Sequence, residues 1–107
     1  MKRIEIQMFI FATALAVVLS LPLSAHAQSA DLFKSKCAMC HGPDGTGSAM
    51  GKKMGAHDFT TAEVQKMSDA DLTEAITNGK NKMPKYADKL KPEEIKGLVA
   101  YIRTLKK

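Results

Sequence analysis

The sequence predicts an all-α domain, and three features carry that prediction. Downstream of the N-terminal apolar run, no segment alternates apolar and polar residues with the period of two that a half-buried strand requires. Ile95, Leu98, Val99, Ile102 and Leu105 recur at the spacing that lines one face of a helix. Helix start and stop residues punctuate the rest: Ser68 ahead of Asp69 and Asp71, Asn78-Gly79 after Leu72, Ala75 and Ile76, and Pro92-Glu93-Glu94 ahead of the C-terminal stripe.

The chain opens with a basic pair, Lys2 and Arg3. An apolar core follows from Met8 to Leu21, broken by Pro22, and Ala25-His26-Ala27 makes a small-x-small cleavage signal before Gln28. Residues 1–27 therefore read as a secretory signal peptide, which places the protein in the periplasm. The alternative is an uncleaved membrane anchor, because the apolar stretch from Ile4 to Leu23 approaches the length that spans a bilayer. Removing 27 of the 107 residues leaves 80, Gln28 to Lys107, which make one domain (28–107) with no membrane span, and takes His26 out of the set of possible ligands.

Within that domain the first helix is expected from about Ala30, with Ser29 as N-cap and Asp31 in the first turn. Leu32, Phe33, Cys37 and Cys40 fall on one of its sides. Gly42-Pro43-Asp44-Gly45-Thr46-Gly47 breaks both periodicities and forms a loop. A short helical stretch is expected near Thr61 to Lys66, followed by a capping box at Ser68-Asp69-Ala70-Asp71 that opens a helix ending at Asn78-Gly79. In the last helix Pro92 takes the first position, Glu93 and Glu94 suit the positive end of the helix dipole, and Arg103, Lys106 and Lys107 suit the negative end. Its apolar stripe has the first helix to pack on, so Phe33 should meet Leu98 and Tyr101 where the terminal helices cross.

The only two cysteines in the chain lie in Cys37-Ala38-Met39-Cys40-His41. A C-x-x-C-H run is a c-type haem attachment motif: two thiols on one helical turn each add to a vinyl group of the same porphyrin, and the histidine lies beneath the iron. Three other uses of the pair exist. A thioredoxin-like dithiol needs a βαβ context, structural zinc needs four ligands where Cys37, Cys40 and His41 are joined only by His57, and a disulfide closing so short a loop gains little. An 80-residue chain also builds a thin core, and a covalent haem would be both its staple and its centre. The apoprotein is accordingly expected to be largely unfolded.

The whole chain is formally +5; Lys2, Arg3 and Glu5 account for a net +1, so the exported part carries +4. Lys80, Lys82, Lys85, Lys89 and Lys91 gather around Met83. They form either a docking face for an acidic partner or the ordinary solvated surface of a basic protein. Nucleic-acid binding is not expected, since no basic face is interleaved with stacking aromatics.

These residues resemble the small single-haem class I c-type cytochromes of the bacterial periplasm over about Ala30 to Leu105. The likeness rests on Cys37-Ala38-Met39-Cys40-His41-Gly42, the Gly45-x-Gly47 loop, Asn78-Gly79, Met83-Pro84 and the closing Leu98-Val99-Ala100-Tyr101-Ile102-Arg103 segment. It implies the class I fold, with crossing N- and C-terminal helices and three to five short helices wrapped around one covalent haem c. It also implies Cys37 and Cys40 as thioether attachments, His41 as the proximal iron ligand and Met83 as the distal one. Many relatives place a glycine eight residues before the first cysteine, where the terminal helices touch; here that residue is Ser29, which calls for a wider crossing or for contact through Ala30.

Met39, Met50, Met54, Met67 and Met83 all remain after signal cleavage. Met83 sits on a loop between a helix stop and Pro84, and the proline keeps it extended; Met50 and Met54 also lie within chain reach of the iron. Filled His/Met coordination leaves no position for a substrate and raises the potential. The implied role is a monomeric one-electron carrier between redox partner proteins, cycling ferric and ferrous iron, with electrons entering near Lys82 and Lys85, and no enzyme. The alternatives are a haem enzyme or ligand sensor with a labile sixth position, or a haem subunit of a respiratory complex. No acceptor for the second nitrogen of His41 is assignable from sequence, and His57, beside Asp58, is open between a propionate contact and plain exposure.

Overall fold

The computed structural model describes residues 25–107. The basic start, the apolar core and Pro22 of the expected signal peptide lie outside the described residues. Six helices follow in order: α1 Ala25–Lys36, α2 Ala38–His41, α3 Ala49–Lys53, α4 Ala62–Gln65, α5 Asp69–Asn78 and α6 Pro92–Arg103. Among the described residues the only β-type pairing is an isolated bridge between Lys80 and Met83.

The crossing of α1 and α6 organises the domain. Phe33 and Leu98 are each 1 % exposed, and the Phe33 ring lies 5.1 Å from that of Tyr101, so the expected contact forms. Ile95, Val99 and Ile102 complete the buried stripe of α6, and Leu72 and Ile76 of α5, Val64 of α4 and Leu90 close the core around it. Each such side chain contributes about 1.5–3 kcal/mol by leaving water.

Two expectations about α1 are corrected. The helix is already formed at Ala25, the first described residue and ahead of the expected start near Ala30, and Ser29 is not its N-cap. Alanine and glutamine are good helix formers, and extending a nucleated helix adds a hydrogen bond for each residue ordered. Ser29 instead lies inside the helix, 7 % exposed, with its hydroxyl donating back to the Ala25 carbonyl at 2.8 Å. The close approach of the terminal helices survives because the small partner sits on the other helix. A Cβ on Gly97 of α6 would come within 2.5 Å of Ser29 Oγ. The glycine of the crossing is Gly97, and Ser29 fills the space it leaves.

The α5 and α6 boundaries follow their signals. Ser68 Oγ accepts from the Asp71 N–H at 3.0 Å, and the Lys91 N–H donates to Glu94 Oε1 at 2.9 Å just before Pro92. Arg103 does more than complement the end of α6. Its guanidinium donates to the Gln65 and Met67 carbonyls and pairs with Asp69 at 2.8 Å, fastening α6 to the α4–α5 junction. Helix α3 has no counterpart in the sequence reading, because Gly51 at its centre is a poor helix former. It is stabilised by Ser48, whose hydroxyl accepts from the Gly51 N–H at 2.9 Å and donates to the Met39 carbonyl at 2.7 Å.

Candidate haem site

The attachment segment is one continuous turn beyond α1. The Cys37 N–H reaches back to the Phe33 carbonyl at 2.8 Å, and the His41 N–H bonds the Cys37 carbonyl at 2.9 Å, so Cys37, Cys40 and His41 are held on a single coil of backbone. Helix α3 backs this turn. A Cβ on Gly51 would fall 1.7 Å from the Cys40 carbonyl oxygen, so no other residue permits the approach. Both thiols are free and half-buried. Burial pushes the Cys37 thiol up to about 11. Burial that disfavours the thiolate is compatible with an uncharged thioether at this position.

His41 is braced from one side by Phe59, whose ring stacks on the imidazole with centroids 4.4 Å apart and planes 26° from parallel. Burial, with a smaller contribution from the charge of nearby His57, holds His41 below the usual histidine range, so the ring is neutral and able to ligate a metal. Its Nδ1 is enclosed and has no hydrogen-bond partner among the described residues, whereas Nε2 is not enclosed in this way. Phe59 is itself fixed. Its N–H donates to the Gly45 carbonyl at 2.8 Å, and its carbonyl accepts from Gln65 Nε2 at 2.7 Å, which also bonds the Ile102 carbonyl. Sequence reasoning missed both Phe59 and Gln65. The signal that could have found Phe59 is the Asp58-x-Thr60 turn around it, in which Asp58 Oδ1 accepts from the Thr60 N–H and hydroxyl at 2.8 and 2.6 Å.

Met83 lies where the sequence reading put it, on the loop between α5 and α6. Lys80 and Met83 exchange backbone hydrogen bonds of 3.2 and 2.9 Å across a tight turn with Asn81 at φ 54°. Gly79, at φ 76°, passes so close that a Cβ would lie 2.5 Å from the Met83 carbonyl oxygen. Met83 and Met67 are half-buried against the core, whereas Met39, Met50 and Met54 are 76, 46 and 40 % exposed. Met67, at the α4–α5 junction, has its carbonyl engaged by Arg103. His57 is mostly exposed, with Nδ1 3.8 Å from Glu63 Oε1, and His26 rests 5.5 Å from the Tyr101 ring.

The chemistry of these residues fits a covalently attached haem. The chain offers two thiols on one turn, a neutral histidine directly after them and a soft thioether presented from a fixed loop against the same core.

Comparisons with known proteins agree. The family described as "Cytochrome C oxidase, cbb3-type, subunit III" matches residues 24–102. Cytochrome c6 of Bryopsis maxima is 36 % identical over 73 residues, covering 68 % of this chain and 83 % of that protein. The cbb3-type cytochrome c oxidase subunit FixP of Azorhizobium caulinodans is 34 % identical over 80 aligned residues, covering 73 % of this chain and 26 % of FixP. Among solved structures, the KustC0563 c-type cytochrome superposes with a TM-score of 0.71 at 40 % identity, covering 74 % of this chain and 98 % of that one.

Proposed function

The chain belongs to the small class I c-type cytochromes and carries electrons through a covalently bound haem c, and on that premise we propose that Cys37 and Cys40 form its thioether links, His41 binds the iron through Nε2 and Met83 binds it from the opposite side. When bound, the haem supplies a one-electron ferric–ferrous couple. The rest falls to the residues of this chain. Cys37 and Cys40 fix the group covalently to a turn that α3 supports at Gly51. Phe59 limits rotation of the His41 ring. Met83 would hold the iron through its thioether, which would exclude exogenous ligands and favour the reduced state. The observation that carries the ligand assignment is the burial pattern: Met83 is packed on the core from a pinned loop, while three of the other four methionines among the described residues face solvent.

We read residues 1–27 as a signal peptide and the location as the periplasm; among the described residues no helix is long and apolar enough to cross a membrane. We read the domain as a diffusible carrier on its likeness to cytochrome c6; the stretch similar to FixP is about a quarter of that subunit. Lys80, Lys82, Lys85, Lys89 and Lys91 are all exposed around Met83 and form a basic face suited to acidic redox partners.

The test is a visible spectrum, oxidised and then reduced, of the protein produced in a host that attaches haem in its periplasm. A c-type reduced spectrum with the weak ferric methionine-to-iron charge-transfer band is the expected result. Haem without that band overturns the Met83 assignment, and absence of haem overturns the cysteine assignments.

A further inference from the structure

The loop that carries Met83 is fastened to the rest of the domain three residues further on. Tyr86 donates its backbone N–H to the Ile76 carbonyl at 3.0 Å, and Ala87 donates to the Thr77 carbonyl at 3.0 Å, so the loop returns along the end of α5. The Tyr86 carbonyl in turn accepts from the N–H groups of Lys89 and Leu90, both at 3.0 Å. The ring is half-buried against the core, with Lys89 Nζ 5.5 Å from its centroid. Its hydroxyl crosses to α1 and donates to the Lys36 carbonyl at 3.1 Å, joining residues fifty apart in the chain. Lys36 is the last residue of α1, where carbonyls lack an onward helical partner, and the next residue is Cys37.

One hydrogen bond therefore links the two halves of the candidate site: the segment bearing the attachment cysteines and His41, and the loop bearing Met83. We propose that Tyr86 is a positioning residue for Met83, its hydroxyl tying the distal loop to the Lys36 carbonyl beside the first attachment cysteine so that the thioether stays on the iron. The proposal rests on Met83 being the distal ligand. Burial pushes the Tyr86 phenol up from its ordinary value, so the hydroxyl is a donor at neutral pH. Breaking this bond leaves the ring, its packing and the cysteine links in place but lets the loop open more often, so an external ligand competes with Met83 more successfully.

The experiment compares the wild-type holoprotein with Tyr86→Phe, which removes the hydroxyl alone. Each ferric protein is titrated with imidazole at fixed pH while the methionine charge-transfer band is followed, and each ferrous protein with carbon monoxide. A hydrogen bond of ordinary net strength corresponds to about a three- to tenfold change in an equilibrium. Tyr86→Phe should keep covalent haem and the band in buffer, yet lose the band at about three- to tenfold lower imidazole and bind carbon monoxide correspondingly better. Ile102→Val, a core truncation on the face of α6, serves as control: it should lower the unfolding midpoint without moving the imidazole titration. Superimposable titrations for wild type and Tyr86→Phe, or an equal shift in Ile102→Val, overturn the proposal. Met83→Ala is measured alongside. If its band persists, the ligand assignment fails; if its band is lost while Tyr86→Phe behaves as wild type, the assignment stands and the tether is refuted.

Discussion

Replacing Gly97 with alanine tests the crossing of the terminal helices. Two opposing effects act. Alanine in a helix interior is favoured over glycine by about 1 kcal/mol, which alone would stabilise α6. Against this, the new methyl would sit 2.5 Å from Ser29 Oγ, well inside van der Waals contact, while the next atom, Ser29 Cβ, is at a comfortable 3.7 Å. Ser29 is 7 % exposed in the crossing, so its side chain has little room to yield without spreading the helices. Overpacking of this kind costs about 1–3 kcal/mol, and the single substitution should therefore be destabilising by up to about 2 kcal/mol after the propensity gain is subtracted. Ser29→Ala removes the clashing atom. In that background Gly97→Ala should recover its full propensity advantage of about 1 kcal/mol, giving a coupling between the two sites of about 1–3 kcal/mol in favour of the double variant. The assay is guanidinium unfolding of the ferric holoprotein for wild type, both singles and the double. In a domain of this size each kcal/mol moves the thermal midpoint by about 4–8 °C, so the cycle is readable by heat as well. Additive effects, or a Gly97→Ala variant more stable than wild type, would refute the reasoning.

Met83→Ala should keep covalent haem, lose the ferric methionine band and acquire carbon monoxide binding in the ferrous state, all read by absorption; an unchanged ferric spectrum excludes Met83 as the ligand. Gly51→Ala drives a methyl to 1.7 Å from the Cys40 carbonyl oxygen, a backbone atom that cannot move without deforming the attachment turn, so holoprotein yield, quantified by haem content per chain, should fall several-fold. Asp58 is held below the usual carboxylate range by the hydroxyl and N–H of Thr60. A depressed carboxyl stabilises the fold above its ordinary pKa and loses that contribution as pH falls through the lowered value, so Thr60→Val should raise the Asp58 midpoint in an NMR titration and leave stability less dependent on pH in the acid range; an unmoved midpoint would contradict the assigned cause.

Much of this fold is legible because its signals are local. The α6 stripe, Pro92 at its start, Ser68 at the start of α5 and Gly79 at its end each act within a turn of backbone, and each appears in the structure where the residues predict it. Helix α3 and the helical conformation of residues 25–29 are not legible for the opposite reason. The first exists because Gly51 lets it lie against Cys40 while Ser48 bonds back to Met39, contacts between segments that no window of sequence brings together. The second reflects the low cost of extending a helix already formed, which moved Ser29 from a cap to the crossing.

The candidate site divides along the same line, and the division has a physical cause. Covalent attachment constrains spacing along the chain, so Cys37, Cys40 and His41 can be read from five consecutive residues. Holding those groups in place constrains spacing in three dimensions, so their supports come from elsewhere: Phe59 against the His41 ring, Gln65 holding Phe59 to α6, and Tyr86 reaching Lys36. None of these belongs to a motif, and each bridges two elements that meet only after folding. Met83 lies between the two cases. Its loop position and Pro84 are local features, but what separates it from Met50 and Met54 is burial against the core, a property of the folded domain. The candidate residues for the chemistry were therefore readable as a pattern, whereas the residues that hold them in place are set by contacts between elements that meet only in the folded domain.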